Sequence, residues 1–145
     1  MGIEVLVSTR SQRNIERARK EGAIWAADTS KKDMPGPVHA AIVFPPAGNL
    51  VEPALSQVEL GGTVVLAPVS SSPITIKNYS ENLWGRSIKT LYNLNRKDAE
   101  ELLQLVKDMD PEIATVVVPF EELQDALIQV KHGNAAQPNV VIQVS

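Results

Sequence analysis

Thr9, Arg10 and Arg13 form the set in this chain best suited to chemistry: a hydroxyl, a guanidinium beside it and a second guanidinium one helical turn on. That chemistry is phosphate recognition. A threonine hydroxyl donates one hydrogen bond, and an arginine fork donates two to a phosphate, with no carboxylate at these positions to repel a dianion. The set lies where an apolar run, Ile3 to Val7, ends in Ser8, Thr9, Arg10 and Ser11 and passes into a charged helix. The alternative is that Arg10, Arg13 and Arg17 simply form the solvated face of that helix, which their spacing also fits.

Other chemistries are poorly supplied. The chain has no cysteine, which excludes disulfides and thiolate catalysis and leaves only His39, His132 and carboxylates for a metal, so metal binding is not expected. His39 sits within an apolar strand and reads as an edge or satisfied core residue. His132, before Gly133, suits the negative end of a helix dipole. Ser70, Ser71 and Ser72 read as loop, with no nucleophile context around them. No GxGxxG is present, and Gly61 and Gly62, which follow a helix and precede a strand, read as a helix stop.

With 145 residues, 43% of them hydrophobic and 21% charged, the chain has the size and composition of one globular domain. A net charge of -3 gives no general attraction to nucleic acid or anionic membrane, and no apolar run approaches the ~20 residues of a membrane helix. The start lacks the pattern of a signal peptide, so the expected setting is cytoplasmic.

The elements that must position these residues alternate in type. Ser11 caps a helix with Ile15, Ala18 and Gly22 along one face. A short strand from Ala23 to Ala27, a polar loop from Asp28 to Pro37 and an apolar strand from Val38 to Phe44 follow, the last continuous enough to predict burial on both faces. Pro45, Pro46 and Gly48 mark a turn, Leu50 to Leu60 a helix, Thr63 to Ala67 a strand, and Ser87 to Leu91 another. Strands alternating with helices predict an α/β fold, a doubly wound and mostly parallel sheet with helices on both faces. Beyond it come a helix from Lys97 to Met109, a β-branched strand from Thr115 to Val118, a helix from Glu121 to His132 packed through Leu123, Ala126, Leu127 and Val130, and a strand from Val140 to Val144.

The series Thr9-Arg10-Ser11, Glu21-Gly22-Ala23, Ala41 to Gly48 and Gly61 to Ala67, continued by Asn93 to Ala99 and the closing helix, resembles the nucleotide-binding region of medium-chain, zinc-type alcohol dehydrogenases. The likeness covers essentially the whole chain in order. It implies an incomplete Rossmann-like domain over residues 1–145, whose tail, 112–145, resembles the segment returning to a catalytic domain. It also implies hydride transfer between a nicotinamide cofactor and an alcohol or aldehyde, with zinc held by a domain upstream. In that fold the residue ending the second strand reads the adenosine ribose, an acid binding its hydroxyls and an arginine accommodating a 2'-phosphate. Thr9 stands there, so Thr9, Arg10 and Arg13 favour NADP over NAD. Pro46, Val69 and Asn93 match loops lining the cofactor cleft, although each also reads as ordinary turn or strand end. Where the family places an arginine on the pyrophosphate, the segment 134–137 has none.

The resemblance starts at the family's second strand, with only Met1 and Gly2 before it. The expected consequences are weak or absent cofactor binding in the isolated chain and no turnover by it alone. The expected repairs of the missing central strand are pairing of Ile3 to Val7 with Val38 to Phe44, or a strand from another subunit. The tail strands should pair with each other or with a second chain. A homodimer through the edge of Ser87 to Leu91 and a separately encoded N-terminal half are the expected partners. The rival readings are a non-catalytic oligomerising or regulatory remnant, and an arginine face that takes a different phosphorylated ligand.

Overall fold

The structure, a computed structural model, describes residues 2–92, 94–107, 109, 113–133 and 139–144. It divides into two compact units, Met1–Asn93 and Leu94–Ser145.

The first unit opens with a βαβ turn. Strand β1, Leu6–Ser8, lies parallel to β2, Trp25–Ala27, with Leu6 opposite Trp25 and Ser8 opposite Ala27. Helix α1, Gln12–Lys20, joins them: the Ser11 hydroxyl accepts from Asn14 N at 3.3 Å, and Arg17, Arg19 and Lys20 occupy the last turn, where the helix dipole favours cations. Ile15 is its one buried residue. Arg19 ties the helix to the strand, donating from Nη2 to the carbonyl of Ala26 at 2.8 Å. Gly22, at φ +97°, takes the left-handed conformation that ends the helix.

A second, three-stranded parallel sheet follows in the order β3, Val38–Val43; β4, Val58–Leu66; β5, Ser87–Thr90. Helix α2, Val51–Gln57, packs on it and completes the core of Val43, Val51, Leu55, Val58, Val64 and Leu66. Leu55 is fully buried.

Two expectations are corrected here. Ile3 to Val7 does not pair with Val38 to Phe44: among the described residues β1 is bonded to β2 alone, and β3 to β4 alone. The crossover through α1 brings β2 alongside β1, and the apolar face of α2 draws β4 to β3, so each strand finds its partner within its own βαβ unit. Nor is β3 buried on both faces. Val43 and Ala41 face α2, whereas Ile42 and Phe44 are 56% and 71% exposed, because no described helix covers that side.

The glycine pair does something other than stop a helix. α2 ends at Gln57, and residues 59–62 lie opposite His39 alone, since Val38 pairs with Val58 and Ala40 with Thr63. Gly61 carries φ +85° in this bulge. A Cβ on Gly62 would lie 2.5 Å from the carbonyl oxygen of His39 and closer still to a Val58 methyl, so the backbone passes there only with glycine.

In the second unit, helix α3, Arg96–Val106, begins with a capping box in which Asn95 and Asp98 exchange hydrogen bonds of 3.0 and 3.1 Å. Strand β6, Thr115–Pro119, pairs in parallel with β7, Asn139–Gln143, through helix α4, Leu123–Lys131. The tail strands thus pair with each other. The expected burial of α4 is only partly seen: Leu123 and Ala126 are half-buried, but Leu127 and Val130 are exposed, as are Leu102 and Leu103 of α3. A two-stranded sheet is too narrow to cover a whole helical stripe.

Candidate functional site

The sequence-selected residues that the structure describes fall in two places on the first unit. The first is the corner where β1 and β2 end. Thr9 extends the ladder by one bond, its N–H donating to the carbonyl of Ala27 at 3.0 Å, and its hydroxyl lies 3.4 Å from Ser11 N. The hydroxyls of Ser8 and Thr29 meet at 2.9 Å and pin the two strand ends together. Arg10 and Arg13 leave this corner exposed to solvent. Thr9 and Arg10 therefore stand on a fixed backbone, as a phosphate site requires.

Asp28, which sequence reasoning passed over as loop, is also at this corner. Its Oδ1 accepts from Ser30 N at 3.0 Å and Ser30 Oγ at 2.7 Å, and Lys31 Nζ lies 3.8 Å from Oδ2. These bonds from Ser30, aided by the charges of Lys31 and Arg10, hold its carboxyl below the usual aspartate range despite some desolvation. The signal was present in the Asp-x-Ser spacing of a side-chain-closed turn.

The second place is a cleft of about 180 Å³ at the carboxyl ends of the second sheet. Val43, Leu66 and Thr90, the last residues of β3, β4 and β5, form its floor, and Pro45, Ala47, Val69 and Ser70 are among its walls. Ligands of open α/β sheets bind at this end of the strands. Its two loops are stitched together: Gly48 N donates to Ser72 Oγ at 2.9 Å, and Ser72 N to the carbonyl of Pro46 at 3.3 Å. Val69 lines the cleft, 97% exposed at its rim. Pro46 does not line it; its carbonyl serves the stitch. Asn93, and the segment 134–138, lie outside the described residues.

Glu52, at the start of α2, was likewise unmarked in the sequence. Its Oε1 accepts from Lys77 N at 2.9 Å, Asn78 N at 2.8 Å and Asn82 Nδ2 at 3.0 Å, which anchors a π-helical turn, Tyr79–Leu83. The Asn78 N–H, followed by Asn82, holds the carboxyl below the ordinary glutamate value. No local pattern could reveal it, since every partner lies 25 or more positions away. His39 is exposed and sits 3.5 Å from Glu59 Oε1, an edge position as read from the sequence.

The Thr9–Arg10 corner offers the donors a phosphate would use, with the Asp28 carboxylate beside them. The apolar cleft with its serine and threonine hydroxyls fits a ring-sized fragment, being smaller than the few hundred Å³ of a typical ligand pocket. Among the described residues no group of three or more His, Asp or Glu side chains gathers as a metal site, and no helix is long and apolar enough to cross a membrane.

No family model matches the chain. In sequence it is similar to the probable alcohol dehydrogenase AdhA of Mycobacterium tuberculosis (strain CDC 1551 / Oshkosh), 31% identical over 142 residues, which are 97% of this chain and 41% of that relative. In fold it is similar to the cinnamyl alcohol dehydrogenase SbCAD4 of Sorghum bicolor (TM-score 0.80, 18% identity, covering 97% of this chain and 41% of that one). The benzyl alcohol dehydrogenase of Acinetobacter calcoaceticus gives a TM-score of 0.79 at 14% identity, over 98% and 43%. The CAD of Helicobacter pylori, complexed with NADP(H), gives 0.74 at 17%, over 98% and 41%. The chain thus spans about two fifths of the length of the proteins it matches, and its sequence and Rossmann-like α/β fold relate it to the C-terminal, nucleotide-binding portion of the medium-chain, zinc-type alcohol dehydrogenases.

Proposed function

We propose that this chain is the cofactor-receiving portion of an NADP-preferring, zinc-type alcohol dehydrogenase, with Thr9, Arg10 and Arg13 taking the 2'-phosphate of the adenosine ribose. The observation that supports this best is the corner itself: a hydroxyl and a guanidinium, with no carboxylate at position 9, held on two parallel strands joined by the Ser8–Thr29 contact. The NADP(H) carried by one fold neighbour agrees with that choice. A bound dinucleotide would accept the hydride of an alcohol or, in the reduced form, supply one to an aldehyde. The chain's own residues would orient its two ends, the phosphate at Thr9 and Arg10, the ring against Val43, Leu66 and Val69 of the cleft. Asn93 belongs to the same proposal through its place in the sequence.

Binding by the isolated chain is proposed to be weak, since the sequence has no Gly-rich turn for the pyrophosphate. Turnover is proposed to need zinc and residues of the family's catalytic domain, because these residues include no cysteine and only two histidines, and a separately encoded N-terminal half is one proposed source of that domain. The proposed setting is cytoplasmic. Homodimerisation is proposed through β5, whose outer edge carries no strand among the described residues.

A second reading, a non-catalytic oligomerising or regulatory module, draws on the uncovered Ile42 and Phe44 of β3. Fluorescence titration with NADPH and NADH separates the two. Selective NADPH binding supports the cofactor reading, and no binding at millimolar cofactor supports the module. An alcohol oxidation assay of the chain alone should be silent; turnover would contradict the need for a partner half.

A further inference from the structure

We propose that Asp28 is a specificity-determining residue of the Thr9–Arg10 corner, a fixed negative charge that weakens a 2'-phosphorylated dinucleotide against its unphosphorylated counterpart. The inference rests on the reading of that corner as the 2'-phosphate site.

The geometry places the charge there. Ser8 pairs with Ala27, so the next register position sets Asp28 beside Thr9, and the Thr9 N–H bond to the Ala27 carbonyl at 3.0 Å carries the ladder to that point. The Ser8–Thr29 contact of 2.9 Å, on the residues flanking Thr9 and Asp28, stops the two turns from separating. Asp28 cannot swing away either, because both donors of Ser30 hold its Oδ1 and its side chain is only 11% exposed.

The facing charges do not cancel it. Lys31 is the nearest cation, at 3.8 Å, but its side chain is 80% exposed and its field is screened by water. Arg10 is the other, and it is the group a phosphate must recruit. Asp28 therefore adds its own repulsion to any phosphate that Arg10 recruits. The Ser30 bonds and the neighbouring cations keep it ionised at neutral pH. A ribose bearing only hydroxyls carries no charge for Asp28 to repel, whereas a phosphate dianion does, so the effect falls on one ligand of the pair.

The test is fluorescence titration of the full chain, as wild type and as Asp28→Asn, with NADPH and with NADH. Asparagine keeps an oxygen for the Ser30 donors and removes the charge. The substitution should tighten NADPH about three- to tenfold and leave NADH within about twofold, with the difference fading in high salt. Equal changes for both cofactors, or none, overturn the role of Asp28 and leave the phosphate corner standing. Absence of NADPH binding by both proteins at millimolar concentration overturns the corner itself, and the inference with it. If Asp28→Asn fails to give a cooperative melt, Asp28→Ser, whose hydroxyl still accepts from Ser30 N, is titrated in its place against the same criteria.

Discussion

Gly48 donates its main-chain N–H to the Ser72 hydroxyl at 2.9 Å, a bond between residues 24 apart that fastens the two loops of the cleft to each other. Glycine is required on one side of it: a Cβ at position 48 would lie 2.5 Å from Ser72 O and closer still to Pro73 O. Both obstacles are backbone. Gly48→Ala should therefore destabilise the first unit by about 1–3 kcal/mol through overpacking. Ser72→Ala, which deletes only the acceptor, should cost about 0.5–1.5 kcal/mol. Urea denaturation of both variants checks the order, and an alanine at 48 tolerated better than one at 72 would contradict the stitch.

Glu52 predicts a dependence on pH. Its carboxyl is held below the ordinary glutamate value, first by the Asn78 N–H, so the folded state binds its proton less readily than the unfolded chain. The stability it adds is complete above the unfolded value and is lost as pH falls through the lower, folded one. Glu52→Gln should accordingly be less stable than wild type at neutral pH, with the gap closing in acid. A gap between their melting temperatures that stays constant from neutral pH to mild acid would show that the charge of Glu52 is not what holds residues 77–82.

Leu55 tests the core. It is fully buried among Val43, Val51, Val58, Val64 and Leu66. Leu55→Ala should cost about 2–5 kcal/mol, the range for a leucine cavity that its surroundings fill only in part. Because this core is small, the variant is expected to lose its cooperative thermal transition, which circular dichroism reads directly; a melt within a few degrees of wild type would refute that packing.

Gly61 and Gly62 separate two physical causes. Gly61→Ala meets open space and suffers only the strain of φ +85°, about 1 kcal/mol. Gly62→Ala drives a methyl against the His39 carbonyl and the buried Val58, and should be the more damaging of the two. Thermal melts of the pair give the ranking, which a worse Gly61→Ala would reverse.

The same glycines mark what a sequence can and cannot disclose. Alternation of strands and helices was legible because it depends on local periodicity: Ser11 capping α1, the β-branched run of β6 and the apolar face of α2 are each written within a few residues. The bulge at 59–62 was not, since it exists only because β3 lies opposite. For the same reason β3 looked buried on both faces from its composition, although Ile42 and Phe44 lack a covering helix. Thr9 and Arg10 stand out in the sequence by type and position as candidates, the Asp28 turn is readable from its spacing to Ser30, and the roles of Glu52 and Ser72 are hidden because their partners are distant in the chain.

Recognition of a 2'-phosphate by the Thr9–Arg10 corner can be read from an amide NMR titration of the full chain with 2'-AMP and, separately, 5'-AMP. 2'-AMP should shift the amides of Thr9, Arg10, Ser11 and Thr29 in a saturable way, 5'-AMP should shift them less, and Arg10→Ala should abolish the response. Equal shifts from the two nucleotides, or shifts that survive Arg10→Ala, would contradict it.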